Sequence, residues 1–174
     1  DIIIHMAAQA LVLKSFKEPL ETHKINILGT ANLLEAAKDI KNLKSICVVT
    51  SDKCYENQNI KKEFSENAKL GGSDPYSASK ACAEIITHSY YNSFYKSKKV
   101  AVFTVRAGNV IGGGDWSENR IIPDIIRAYL SKKTLIIRNP NHTRPWQHVL
   151  DPINAYLKLI EKSFIFKNSI IGGW

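Results

Sequence analysis

Arginine does not occur in the first 105 residues of this 174-residue chain, and the whole sequence holds only three cysteines and one methionine. Each scarcity excludes something. Cys47, Cys54 and Cys82 are odd in number and have no metal-type spacing, which argues against a disulfide framework or a zinc site and suits a reducing cytoplasm. No apolar run approaches the length of a membrane span, and the first residues lack the basic flank and small-residue cleavage site of a secretion signal. The expectation is a cytoplasmic protein with no membrane partner and no metal. Internal repeats and low-complexity tracts are also missing. The 44% of hydrophobic residues suffices for one core of ordinary single-domain size.

The charge that is present is unevenly placed. None of the net +8 arises in residues 1–75, where ten lysines face ten acids, whereas residues 76–174 carry fourteen basic residues against six acidic ones. The 19 lysines are scattered, but Arg106, Arg120, Arg127, Arg138 and Arg144 fall within 39 residues. Guanidinium groups suit bidentate recognition of phosphate, so the second half is expected to meet an anionic ligand. A nucleic-acid surface would interleave basic and aromatic residues on one element. That pattern is not evident, and no nucleic-acid partner is expected.

Apolar patterning sets out alternating strands and helices. Asp1–His5 reads as a buried parallel strand. Domains seldom open on a central strand, so the chain is expected to be a piece of a longer protein. Helical patterning runs from about Glu18 to Asp39, with Ile25, Leu28, Leu33, Leu34 and Ala37 on one side. Ser45–Thr50 reads as a strand, and the polar, glycine-bearing stretch Asn57–Ser73 as a loop. Pro75 is placed to begin a helix, because its fixed φ suits the first turn. Val100–Arg106 is a strand, Ile121–Leu130 a helix, Leu135–Ile137 a short strand, Pro152–Lys162 a helix and Ser169–Ile171 a strand. This alternation predicts an α/β fold built on a doubly wound parallel sheet.

Two segments carry chemistry: Thr50–Tyr55 reads Thr-Ser-Asp-Lys-Cys-Tyr, and Tyr76–Lys80 reads Tyr-Ser-Ala-Ser-Lys. Residues four apart on a helix share a face, so Tyr76 and Lys80 stand together. A lysine cation beside a phenol favours the phenolate, lowers its pKa and makes it a usable base. Ser51, Asp52 and Lys53 follow an apolar strand, at the carboxyl end where open α/β sheets bind ligands. Tyr95/Lys99 and Tyr129/Lys133 repeat the spacing, but in lysine-rich stretches that read as solvated helix ends. Cys47 reads as core, and His5 and His148 as structural.

Together with His5-Met6-Ala7-Ala8-Gln9 and the run Asn26–Ala36, these segments resemble the extended short-chain dehydrogenase/reductase family over nearly the whole chain. Within that family, Thr50–Tyr55, Arg106–Trp116 and Ile137–Val149 are similar to sugar-nucleotide 4,6-dehydratases of the CDP-glucose branch. Lys53 stands where the dTDP-glucose branch usually carries glutamate. The resemblance implies part of an NAD-binding Rossmann domain with the catalytic residues over 1–110. Over 111–174 it implies a substrate-binding region that partly returns to the sheet. NAD would be the cofactor and CDP-glucose the nucleotide-sugar substrate of a homo-oligomeric longer protein, serving deoxysugar and surface-polysaccharide synthesis.

The same resemblance assigns roles. Tyr76 would be the base at the sugar 4-hydroxyl, beside Lys80, with Ser51 hydrogen-bonded to the same oxygen. Asp52 would be a protonated donor to the departing 6-hydroxyl, and Lys53 the base at C5. Ala7, Ala8, Gln9, Asn26, Tyr76 and Lys80 would meet the cofactor; Asn109, Arg120 and Arg144 would meet the substrate. Trp116 and Trp146 would either stack on the base or pack. The family's glycine-rich turn, which cradles the cofactor pyrophosphate at a helix N-terminus, does not occur in the sequence. Gly112–Gly114 follows too late a strand to replace it. Residues 1–174 alone are therefore expected neither to bind NAD measurably nor to dehydrate a sugar. Two other readings stay open: a nucleotide-sugar 4-epimerase, which has no need of the Asp52–Lys53 pair, and a non-catalytic nucleotide-binding remnant or basic nucleic-acid binder.

Overall fold

A computed structural model describes residues 1–56, 63–165 and 172–174. Its main sheet holds β1 (Ile2–His5), β2 (Ser45–Val49), β3 (Ala101–Val105) and β6 (Gly172–Gly173), in that spatial order and all parallel. A second, two-stranded parallel sheet pairs β4 (Asn109–Ile111) with β5 (Trp146–His148). The helices are α1 (Val12–Lys17), α2 (Pro19–His23), α3 (Gly29–Ala37), α4 (Pro75–Tyr90), α5 (Ile121–Leu130) and α6 (Leu150–Ile165). Among the described residues, no helix is long and apolar enough to cross a membrane.

Side chains alternate across a strand, and β2 and β3 are buried on both faces. Ile46, Val48 and Val102 face Leu34 and Ala37 of α3 and the buried rings of Tyr91 and Tyr95. Cys47, Phe103 and Val105 face Tyr156 and Ile160 of α6. Helices thus cover both faces of a parallel sheet, the doubly wound arrangement that the alternation of elements predicts.

The structure departs from the sequence reading at several places. β1 pairs only with β2 among the described residues, and Ile2 and Ile4 stay 47% and 40% exposed. The helical patterning over 18–39 is broken by a π-helical turn at Lys24–Leu28. That wider turn carries the buried stripe through Thr22, Asn26, Thr30, Leu34 and Ala37, and leaves Ile25 and Leu28 exposed. Tyr95 is fully buried rather than solvated, its hydroxyl donating to the Leu34 carbonyl. Leu135–Ile137 is no strand, since it has no partner among the described residues and Ile136 lies 82% exposed. The expected strand Ser169–Ile171 lies outside the described residues, as does part of the expected loop Asn57–Ser73.

Leu34 has no exposed surface and anchors α3 to β2 and β3. Leu34→Ala is expected to cost about 2–5 kcal/mol in chemical denaturation, the range for a large aliphatic group removed from a packed core. A cost below about 1 kcal/mol would show that α3 is not anchored there.

Candidate active site

The loop after β2 is short and tightly held. Ser51 caps a 3-10 turn over Asp52–Cys54, its Oγ accepting from the Lys53 amide at 3.3 Å. The same Oγ donates to Asp52 Oδ1 at 2.9 Å, and Lys53 Nζ meets that oxygen at 3.3 Å. Asp52 therefore accepts from both neighbours here, the opposite of the protonated donor that the resemblance implies.

α4 delivers the tyrosine and lysine. Pro75 stands at its first position, and Asp74 caps it by accepting from Ser77 N at 3.0 Å and Ser77 Oγ at 2.6 Å. A Cβ on Gly72 would fall 2.5 Å from the Ser77–Ala78 backbone, so only glycine lets the preceding loop press against this first turn. Tyr76 and Lys80 are both buried. Burial pushes the pKa of the Tyr76 phenol up, outweighing the downward pull of the Ser51 hydroxyl. The expected descent toward neutrality under the Lys80 cation is not met. Lys80 Nζ instead donates to the Val49 carbonyl at 3.1 Å. Burial lowers the Lys80 ammonium to about 8, against the opposing pull of Glu84.

One open cleft of about 1910 Å³ brings together Ser51, Asp52, Lys53 and Tyr76 with Asn109, Arg120 and Arg144 from the second half of the chain. Asn109 Oδ1 is buried there without a hydrogen-bond partner among the described residues. Arg120 pairs with Asp115 at 2.9 Å, and Arg144 is exposed, donating to its neighbour Thr143 at 2.8 Å and contacting His142 at 3.4 Å. Ala8 and Gln9 line a smaller cleft of about 380 Å³ that shares Arg120. Ala7 is exposed at the end of β1. Asn26 is buried behind them: it accepts from Gln9 N at 2.8 Å and donates to the Gln9 carbonyl at 3.1 Å and Ser79 Oγ at 2.8 Å. His5 is buried against Thr30, and Tyr129 is exposed as expected.

Sequence reasoning missed a buried ion pair beneath this site. Arg106 Nε and Nη2 clasp Glu84 Oε1 and Oε2 at 3.0 and 2.7 Å, while Thr104 Oγ1 donates to Oε2 at 2.6 Å and Thr50 Oγ1 to Oε1. The signal was present: Tyr76, Lys80 and Glu84 follow at four-residue intervals on one helix face.

A sequence profile of the NAD dependent epimerase/dehydratase family matches residues 1–171. The chain belongs to that family. It is 45% identical, over all of its length and 50% of the relative's, to the CDP-glucose 4,6-dehydratase of Salmonella typhimurium. The dTDP-D-glucose 4,6-dehydratase of Dictyostelium discoideum is 36% identical over 95% of this chain and 39% of its own. The chain thus spans about half or less of the length of these curated relatives. In fold it is similar to the dTDP-glucose 4,6-dehydratase DesIV of Streptomyces venezuelae, solved with NAD bound (TM-score 0.83, 24% identity, 99% of this chain and 50% of that one). A UDP-glucuronic acid 4-epimerase of Bacillus cereus is comparably similar (TM-score 0.81, 24% identity, 99% and 52%).

The depressed pKa of Lys80 has a consequence for stability. Between about pH 8 and the ordinary lysine value of 10.5, the unfolded chain holds a proton that the folded chain has lost. Lys80 therefore contributes most above the ordinary value, and its contribution is lost as pH falls through about 8. Denaturation of the wild type and of Lys80→Met should diverge accordingly, the variant gaining relative stability as pH falls. A difference independent of pH between 7 and 11 would mean that Lys80 is not desolvated as described.

Proposed function

We propose that this chain carries the acid–base site of an NAD-dependent 4,6-dehydratase that converts CDP-glucose to CDP-4-keto-6-deoxyglucose. The observation that carries this reading is one cleft that Ser51 and Tyr76 line together with the Asp52–Lys53 pair. Residues 1–110 would supply the cofactor side and the catalytic groups, and residues 111–174 the substrate side, partly returning to the main sheet through α6 and β6. NAD, when bound, supplies a hydride acceptor for C4 of the sugar and later a hydride donor for C6, with no net redox change.

The residues present fit that cofactor at the carboxyl ends of the strands. Lys80 has three N–H donors and spends one on Val49, which leaves donors for ribose hydroxyls. Ala7 and Ala8 place no bulk at the end of β1, and Asn26 locks the Gln9 backbone beside them. Tyr76, once ionised to the phenolate, would take the proton of the sugar 4-hydroxyl while Ser51 holds the same oxygen. The resulting ketone acidifies C5. Proton removal there needs Lys53 as a neutral amine, and departure of the 6-hydroxyl needs Asp52 as an acid. A single proton transfer along their 3.3 Å contact gives both forms at once. Arg120, Arg144 and Asn109 would receive the nucleotide diphosphate. An epimerase would return hydride to C4 without elimination and so leaves the Asp52–Lys53 pair without a task. Three unpaired cysteines suit a cytoplasmic setting, and the exposed Phe16, Leu20 and Ile85 suit closure of a homo-oligomer.

The intact protein is expected to consume CDP-glucose and to accumulate a 4-keto product that absorbs in alkali. Equal or faster turnover of dTDP-glucose would remove the CDP-glucose assignment and leave only the broader family.

In the intact protein, Tyr76→Phe removes the phenol but not the ring. Turnover should fall by roughly 10²–10⁴, the contribution of a general base, with NAD affinity little changed. A variant within a few-fold of wild type would make Tyr76 a structural residue.

A further inference from the structure

Arg106 lines the cleft, yet four of its five N–H donors are already taken. Its Nε–Nη2 edge clasps Glu84, and its Nη1 donates to Tyr55 Oη at 3.0 Å and to the Glu66 carbonyl at 2.8 Å. The pair is deeply desolvated, with the arginine and glutamate side chains 6% and 4% exposed. Gly173 lies directly against the guanidinium, since a Cβ there would fall 2.1 Å from Cζ. A cation so occupied is not free to grip a phosphate, unlike Arg120 and Arg144 with their exposed surfaces.

Its partners on the open side form a wall. The Tyr55 ring lies 5.0 Å below the guanidinium and stacks on Phe64 with centroids 5.1 Å apart and planes 3° from parallel. Tyr55 bridges Leu70, Glu56 N donates to the Lys69 carbonyl at 2.9 Å, and Gly71 N donates to the Cys54 carbonyl at 2.8 Å. This wall begins two residues after Lys53, and Tyr55, Phe64 and Glu66 all line the same cleft. Buried ion pairs are poor stabilisers, because desolvation offsets their attraction, but their directional bonds can define one arrangement.

We propose that Arg106 is a positioning residue: held by Glu84 of the helix that bears Tyr76 and Lys80, it orders Tyr55, Phe64 and Glu66 as the wall that receives the nucleotide sugar. This rests on the dehydratase reading for its substrate, but not for its geometry. Arginine supplies a planar fork that lysine cannot reproduce, even though both carry the charge.

The test uses the intact protein with Tyr55→Phe, Arg106→Lys and the double variant. Tyr55→Phe should raise KM for CDP-glucose roughly tenfold, the equivalent of one charge-assisted hydrogen bond, with kcat within a few-fold of wild type. In the Arg106→Lys background the same change should have little further effect, because contacting residues acting as a unit are not additive. Additive effects would mean that the two residues meet the substrate separately, and an unchanged KM that the wall is not used; either overturns the proposal. Amide hydrogen exchange of Tyr55→Phe gives a readout that needs no turnover and no Arg106 variant. Residues 63–71 should exchange roughly tenfold faster while β2 and β3 keep their protection. Unchanged exchange over 63–71 overturns the proposal. Absence of CDP-glucose turnover in the wild type would sink the dehydratase reading instead, and leave the exchange result to decide the role of Arg106.

Discussion

The buried carboxylate of Glu84 is the point on which the arrangement of the site depends. It accepts from Thr50 beyond the end of β2, from Thr104 in β3 and twice from Arg106 just after β3. Donors from two adjacent strands therefore converge on one side chain of α4. A carboxylate at this depth is tolerable only with all of those partners in place, because removing either ion of a buried pair leaves the other uncompensated. The requirement admits one placement of the helix. A slide of one turn would set Lys80 or His88 opposite Arg106, bringing a like charge or an unmatched ring to a site built for a carboxylate. Lys80 and Tyr76, one and two turns earlier, are thereby delivered to the Val49 carbonyl and to Ser51.

How much of this was legible beforehand follows from what sequence patterns can encode. Strands β2 and β3 are apolar but for Ser45 and Thr104, and α4 opens on Asp74-Pro75, so their positions follow from burial and from the fixed φ of proline. The convergence of Ser51 with Tyr76 was legible too, because the carboxyl ends of parallel strands and the start of the next helix meet on one edge of such a sheet. What escaped was set by backbone partners. Leu135–Ile137 has the composition of a strand but nothing to pair with, whereas Trp146–His148 pairs with Asn109–Ile111 through main-chain groups that any residue supplies. The π-helical turn at Lys24–Leu28 shifted the buried stripe from leucine and isoleucine to threonine and asparagine, against hydrophobic periodicity. Those polar residues are buried because each finds a partner: Thr22 receives Gln9 Nε2, Asn26 bonds Gln9 and Ser79, and Thr30 meets His5.

Electrostatics was the least legible level. Spacing alone suggested that Lys80 would charge-stabilise the Tyr76 phenolate. The outcome depends instead on depth, since burial acts on both groups and drives the phenol up and the ammonium down. Both shifts favour the uncharged forms. At a value of about 8 the Lys80 ammonium still carries its proton at neutral pH, so a polar substrate oxygen entering beside Tyr76 meets a neutral phenol with a cation one helical turn away.

The same reasoning reaches Asp52 and Lys53 from the opposite direction. Their side chains remain 31% and 33% exposed, and in that setting water supports the separated charges of the ion pair. The elimination proposed above needs the neutral partners, an amine and a carboxylic acid. Excluding water withdraws solvation from both charges, and a proton passed from Nζ to Oδ1 relieves the loss at once. The wall of Tyr55, Phe64 and Glu66, which starts beside Lys53 and is tied through Arg106 to the helix of Tyr76, lies where such exclusion has to occur. A ligand that fills the cleft against this wall would exclude water from beside the pair without any movement of the sheet.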